Sequence, residues 1–417
     1  LPEIAFDILG HLPEKTALVY DTVIKDIVSL SVLDAAPDMH YAEIPLTGKG
    51  ALLDSTEALG DETAERIRST GAELVVGAGS GVIADLTKWA ATRAAVPFIL
   101  YGTAASMNAH ASITASMGRQ GIKTSALLDP PSAVLMDTDI IALSPRQMWL
   151  SGLGDLTARE ICNADWMLSH LIRGKSFCPV PYRLTAGNAE RCMAAAAEIG
   201  ARSPGASAIL AEACLVSAVS MTMMGGETSP SSGAEHVFSH YWDLQVEREK
   251  AVKNLHGIQV GIGTILSFAL WDYMKQINVS RIDPERLLDR RPSLDSLISE
   301  NKELFGQRSV LFNEAVRTKW IPDQDFVHYI TGIIERWPDI LQDTGRFMGN
   351  GKRTRQALTD AGFILTLEAI HRSRRQALEA ILYGWRYRPR YTMIDLAWEL
   401  GVLPEAAEEI LQRSGLV

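Results

Sequence analysis

The sequence predicts two domains of different class: an α/β domain built on a parallel sheet over residues 1–147, and an all-α domain over 148–417. Three observations carry this. A chain of 417 residues, 47% of them hydrophobic, is longer than one average domain needs to bury its core. From Thr16 to about Pro145, apolar runs of strand length alternate with amphipathic stretches of helix length. Beyond Leu150 those runs stop, and helical spacing takes over.

In chain order, the expected strands are TALVYD (16–21), YAEIPL (41–46), ELVVGAG (73–79), PFILYGT (97–103) and SAVLMD (132–137), all rich in β-formers. Ser55 to Thr70 and Val82 to Arg93 read as helices between them, the crossovers that parallel strands require. Pro145 suits the first turn of a helix and pushes Ser144 out of helical conformation, so the junction is expected within about five residues of that pair. In the second half Ala206 to Met224, Gly257 to Lys275, Gln324 to Met348 and Thr366 to Tyr383 are expected helices. Glu227 to Ser232 and Arg290 to Ser293 are expected loops.

Composition narrows the partners. Net charge is −10 and no run of Lys and Arg is interleaved with aromatics, so no nucleic-acid partner is expected. Leu1 to Gly10 carries Glu3 and Asp7 and lacks the pattern of a signal peptide. The apolar stretches read as too short or too interrupted to span a bilayer, so no membrane partner is expected. Cys162, Cys178, Cys192 and Cys214 have no CxxC spacing, and they read as small buried residues of a cytoplasmic protein.

The run ELVVGAGSGVIADLTKWAA (73–91) is a strand entering a turn with Gly77, Gly79 and Gly81, and then a helix. Such a turn lets backbone N–H groups approach a pyrophosphate at a helix N-terminus. The spacing is not GxGxxG, and a tight strand-to-helix connection with no ligand accounts for the glycines equally well. A second strand, PFILYGT, ends in the small polar run TAASMNAHAS (103–112), which closes on Ser112; ligands of open α/β sheets bind beyond such strand ends. The first strand ends in Asp21, either a solvated strand-end carboxylate or an acceptor for the ribose hydroxyls of an adenosine, favouring NAD over its phosphorylated relative.

Three segments of the helical half combine glycine with ionisable residues: SGLGDLTARE around Asp155, SSGAEHVFSHYWD with His236 and His240, and NLHGIQVGIGT with His256. A carboxylate with two imidazoles is a common ligand set of catalytic metals. His236 and His240 lie four apart, on one face of a helix. Taken singly, each histidine is more often a hydrogen-bonded structural residue than a ligand.

These motifs resemble the sn-glycerol-1-phosphate dehydrogenase branch of the iron-containing alcohol dehydrogenase and dehydroquinate synthase superfamily, over most of the chain. GSGVIADLTK (79–88) resembles the family's GGGKVIDxxK pyrophosphate loop, and Thr103 to Ser106 its TAPS motif. GIKTSALLDPPSAVLMDTDII (121–141), GLGDL (152–156) and SGAEHxFSH followed by LHGxQVGxGT also resemble the family. The resemblance implies a Rossmann-like domain followed by a helical one, in the dehydroquinate synthase-like arrangement. It implies NAD(H) or NADP(H) on Gly79, Ser80, Gly81, Val82, Ile83, Thr103, Ala104, Ser106 and Ser112, with Asp21 at the ribose.

It further implies one divalent metal, zinc, nickel or iron, on Asp155, His236 and His256, with His240 and Asn108 toward the substrate. Arg159 stands four residues after Asp155, so the four-ligand pattern of the iron alcohol dehydrogenases is not reproduced. The expected reaction is hydride transfer between the nicotinamide and a small ketone or polyol, with dihydroxyacetone phosphate as the family's example. The alternatives are a lyase of the dehydroquinate synthase type that recycles its NAD, or a silent binding protein on the same fold. Asn108 replaces the family's aspartate and Ser229 its arginine, which leaves phosphate on the substrate open; Lys123 is a candidate substitute cation, though it reads more readily as an exposed surface lysine. A homo-oligomer is expected.

Overall fold

Strands that are apolar on both sides of the pleat belong in a sheet covered on two faces. The computed structural model describes residues 1–48, 53–119, 122–249 and 252–417, the side chains of Ile122, Lys123 and Glu247 excepted. Gly121 and the side chain of Lys123, the candidate substitute cation, therefore fall outside what is described.

The described strands are β1 (Thr16–Asp21), β2 (Tyr41–Leu46), β3 (Leu74–Gly79), β4 (Phe98–Gly102), β5 (Thr114–Arg119), β6 (Ile122–Leu127) and β7 (Ala133–Met136). The five expected strands form one parallel sheet in the order β2-β1-β3-β4-β7. Leu18, Tyr20, Val76 and Ile99 pack with Val28 and Val32. Their neighbours Ala17, Val19, Val75 and Leu100 pack with Ile67, Leu86 and Trp89. Strand order reverses about β1, with β2 on one side and β3 on the other, so the carboxyl ends of β1 and β3 flank a topological switch point.

One pairing was not expected. Strands β5 and β6 form a separate antiparallel hairpin. Along β5 only Ala115 and Met117 are buried, so its run lacks the continuous apolar signal of the parallel strands.

The segment between β4 and β5 is fixed from beneath. Lys88, fully buried in the helix Gly81–Ala94, sends its ammonium to the carbonyl oxygens of Ala109 at 3.0 Å and Thr114, and lies 3.3 Å from Asp85. Burial pulls its pKa below the usual lysine value, while Asp85 acts the other way. His110 is buried in the same segment, its Nε2 3.4 Å from the carbonyl oxygen of Gly79. Burial, only partly offset by that carbonyl and reinforced by Lys88, lowers the His110 pKa to about 4.

All described structure beyond β7 is helical or loop, as expected. Leu143 ends a helix, Ser144 is extended with ψ 151°, and the helix Arg146–Thr157 starts after Pro145. Pro204–Met223 and His256–Met274 match two of the expected helices. The other two are interrupted. The run 324–348 divides into Asp323–Glu335 and Trp337–Gly345, because Pro338 at the start of the second can donate no backbone hydrogen bond to the first. The run 366–383 holds a short 3-10 turn and then the helix Arg374–Tyr383, started by a capping box of Ser373 and Gln376.

By contact density the chain forms two units, one of residues 1–156 and 183–228 and the other of 157–182 and 229–417. This division differs from the expected one at 147/148: most of the helix Arg146–Thr157 packs with the sheet unit, as do residues 183–228. The helix Pro204–Met223 also corrects the reading of the apolar stretches, being long and apolar enough to cross a membrane, with 56% of its most apolar window buried inside the protein. All four cysteines are free thiols, and Cys162, Cys192 and Cys214 are buried.

His110 makes stability depend on pH. Its folded pKa of about 4 lies below the unfolded value of 6.5, so the unfolded chain takes up this proton first as pH falls. The corresponding stability, roughly 3 kcal/mol, is present above pH ~6.5 and is lost on descending to pH ~4. Urea unfolding at stepped pH should show this decline flattened in His110→Gln; an undiminished decline would assign the loss to other groups.

Candidate metal centre and cofactor turn

In the first unit, β3 delivers the glycine turn directly to the helix Gly81–Ala94, with Ser80 as its cap residue. The Ser80 hydroxyl makes no capping bond, and its backbone carbonyl accepts from Ala84 at 3.0 Å. The N–H groups of Gly81, Val82 and Ile83 open the helix, where no intrahelical acceptor exists. Together with the helix dipole they form an anion-accepting end at the switch point. Sterics add a separate demand for glycine: a Cβ on Gly79 would come within 2.7 Å of the Ile83 side chain. Both readings of the turn therefore have a physical basis.

The other expected cofactor residues surround this turn. The Thr103 N–H donates to the Gly79 carbonyl at 3.1 Å, which ties the end of β4 to the end of β3. Thr103, Ala104 and Ser106 are buried, and Ser112 is fully so, its hydroxyl bonded within its own segment to Thr114. Asp21, at the end of β1, accepts the Val23 N–H on Oδ1 at 3.0 Å. It thus caps the turn that follows.

The helix Arg146–Thr157 presents Asp155, which is fully buried. Gly152 lets that helix pack directly on the segment after β4: a Cβ there would stand 1.9 Å from the Ala105 carbonyl oxygen. Ser151 donates to the Ser106 carbonyl at 2.9 Å, and the Asn108 N–H donates to Asp155 Oδ2 at 3.1 Å. The Asn108 side chain donates from Nδ2 to Ser217 Oγ at 3.1 Å.

In the second unit the helices Ala234–Glu249 and His256–Met274 bring the three imidazoles together. Gly263 permits it, since a Cβ at that position would lie 2.5 Å from the Glu235 carbonyl oxygen. The His236 and His256 ring centroids are 5.1 Å apart, and those of His240 and His256 5.2 Å. His236 and His256 are carried by the second unit, and Asp155, the third expected ligand, by the first. The ring chemistry suits a cation. His236 Nδ1 is 2.8 Å from Glu235 Oε1 and His256 Nδ1 is 3.3 Å from Ser239 Oγ, so protein groups orient Nδ1 of each ring, the arrangement that directs Nε2 toward an ion.

His240 stacks on Tyr387, with ring centroids 6.1 Å apart and planes 4° from parallel. With Asp243 and His256 it forms a second group whose ligand atoms lie within 4.8 Å of one another. Asp243 was not singled out in the sequence, although its spacing of three from His240 places both on one helix face. Asp165 was also missed. It accepts the Ala234 N–H on Oδ2 at 2.7 Å and the Met393 N–H on Oδ1 at 2.9 Å, and burial, then the nearby Glu235 charge, push its pKa up to about 8. No spacing rule reaches from residue 165 to residue 393; only the fold joins them.

The loop that holds Ser229 is braced by Arg159, the first residue of the helix Arg159–Arg173. Arg159, buried, donates from Nη1 to the Ser231 carbonyl at 2.6 Å, and Arg390 donates to the Ser232 carbonyl. Ser229 is buried in the same loop. A guanidinium cannot ligate a cation, so Arg159 serves as a brace in place of a fourth ligand.

Residues 8–145 match the family model described as iron-containing alcohol dehydrogenase. A glycerol-1-phosphate dehydrogenase [NAD(P)+] of Halalkalibacterium halodurans is 31% identical over 275 residues, covering 63% of this chain and 68% of the relative. One of the same name from Geobacillus thermodenitrificans is 33% identical over 189 residues, 45% of this chain and 46% of the relative. In fold, the chain is similar throughout its length to the crystal structure of a probable glycerol dehydrogenase from Sinorhizobium meliloti, with TM-score 0.60, 14% identity and 96% of that chain covered. On these likenesses, the chain belongs to the glycerol-1-phosphate dehydrogenase family of the iron-containing alcohol dehydrogenases.

Proposed function

We propose that this chain is a metal-dependent, NAD(P)-linked dehydrogenase that reduces dihydroxyacetone phosphate to sn-glycerol 1-phosphate, or acts on a closely related small polyol and its ketone. The observation that carries this reading is the meeting of His236 and His256 in the second unit, with ring centroids 5.1 Å apart and Nδ1 of each ring held by a protein group. The names of the relatives support the substrate, and the open helix end after β3 supports the dinucleotide. The first unit then binds the nicotinamide cofactor, and the histidine-bearing helices of the second serve the metal and the substrate. The enzyme is soluble and cytoplasmic in this reading, in keeping with its free thiols.

Asp155, His236 and His256 would hold the cation, and zinc, nickel and iron all suit two imidazoles and a carboxylate. A divalent ion there supplies an electrophile for the carbonyl oxygen, and NAD(P)H supplies the hydride. The remaining work falls to side chains. His240, held flat against Tyr387, is oriented to pass a proton to or from a substrate oxygen. Asn108, with Nδ2 committed to Ser217, keeps its amide oxygen as an acceptor for a substrate hydroxyl. Asp21 offers its second oxygen to the adenosine ribose, and the N–H groups of Gly81, Val82 and Ile83 face the pyrophosphate.

The direct test follows NADH absorbance with metal-stripped and reloaded protein against dihydroxyacetone phosphate and dihydroxyacetone. Turnover should appear only on reloading. Metal-independent oxidation, or product formed from another substrate with no net NADH consumption, overturns the reading. His256→Ala should lose metal and turnover by more than the roughly 10- to 100-fold typical of an outer partner, with NADH affinity nearly unchanged; a parallel fall in NADH affinity would contradict the division of tasks.

Asp21→Gly should relax discrimination against NADPH, because the carboxylate repels the 2′-phosphate and the glycine does not. The ratio of kcat/KM for the two cofactors reports this. An unchanged ratio would leave Asp21 only its cap on Val23.

A further inference from the structure

The two ligand imidazoles are supported unequally. His236 Nδ1 lies 2.8 Å from the Glu235 carboxylate, whereas His256 Nδ1 lies 3.3 Å from the neutral hydroxyl of Ser239. A carboxylate at that distance fixes the proton on Nδ1, leaves the Nε2 lone pair toward the ion, and shifts electron density into the ring. A hydroxyl at longer range does little of this.

Glu235 is built to stay in place. Its carboxylate is fully buried, and the same Oε1 also accepts the Gly233 N–H at 2.6 Å. Its backbone carbonyl is the atom that the Gly263 backbone approaches, so the crossing of the two helices clamps this residue. It also sits in the first turn of the helix Ala234–Glu249, where a negative charge is favoured by the helix dipole.

We propose that Glu235 is the positioning residue that sets metal affinity, acting through His236, while Ser239 behind His256 contributes a lesser share. This rests on the metal-dependent reading above. Glu235 touches no substrate, and its effect reaches the ion only through the imidazole.

The test titrates the metal-stripped full-length protein with zinc against a chromophoric chelator. Glu235→Gln keeps the shape of the side chain but removes its charge, and should weaken zinc binding about 10- to 100-fold. Ser239→Ala should weaken it less. NADH affinity and the unfolding midpoint of the metal-free protein should hold in both, and the visible spectrum of cobalt-loaded Glu235→Gln should shift. Glu235→Asp, which keeps the charge but withdraws the oxygen, should also bind zinc more weakly, and it replaces the glutamine variant if that one does not fold. Wild-type affinity in a folded Glu235 variant, or a larger loss in Ser239→Ala, overturns the proposal. Failure of the wild type to bind zinc, nickel or iron overturns the metal-dependent reading itself.

Discussion

The candidate centre depends on two helix backbones meeting with no side chain between them. Any residue but glycine at position 263 would drive a Cβ into the Glu235 carbonyl, and the fault would fall on backbone, which cannot rotate aside. The helices would have to part. His236, His240 and His256 are all carried by these two helices, so their separations follow from that crossing. Gly152 does the same for the carboxylate, letting the helix of Asp155 lie against the Ala105 carbonyl so that the Asn108 N–H can reach it. Core packing tolerates adjustment by side-chain rotation; these two contacts do not.

Much of the fold was legible because burial on two faces leaves an unbroken apolar run in the sequence. The central strands β1, β3 and β4 announce themselves in this way, and β3 and β4 both end in glycine. The hairpin β5–β6 does not, since alternate residues of β5 face away from the core and the run carries polar residues throughout. The run 324–348 misled because its apolar spacing continues through Trp337, while a backbone constraint one residue later divides the helix. Periodicity reports which face is buried. It does not report where a hydrogen bond is missing.

The same distinction governs the centre. Asp155, His236 and His256 stand out as candidates because ligand chemistry restricts residue type and glycine flanks each segment. Their supports are ordinary residues whose role exists only in three dimensions. Lys88 holds the segment after β4 by its carbonyls, and Asp165 spans two backbone positions far apart in the chain. Arg159 shows the reverse case: its type excluded a fourth ligand from sequence alone, but the loop it braces was visible only once folded.

Charge explains why so many acids gather around this point. His256 is the first residue of its helix and His236 the third of its own, so both imidazoles stand at helix ends that each carry about half a positive charge. Such ends repel a cation, and two of them would work against the ligands they present. Glu235, behind His236, opposes this. Asp165 cannot add equally, since its pKa of about 8 leaves it mostly protonated near neutrality. In the proposed reading the Glu235 carboxylate would offset part of the charge of the helix ends, and a divalent ion held there would supply the positive field that draws an electron-rich oxygen toward it.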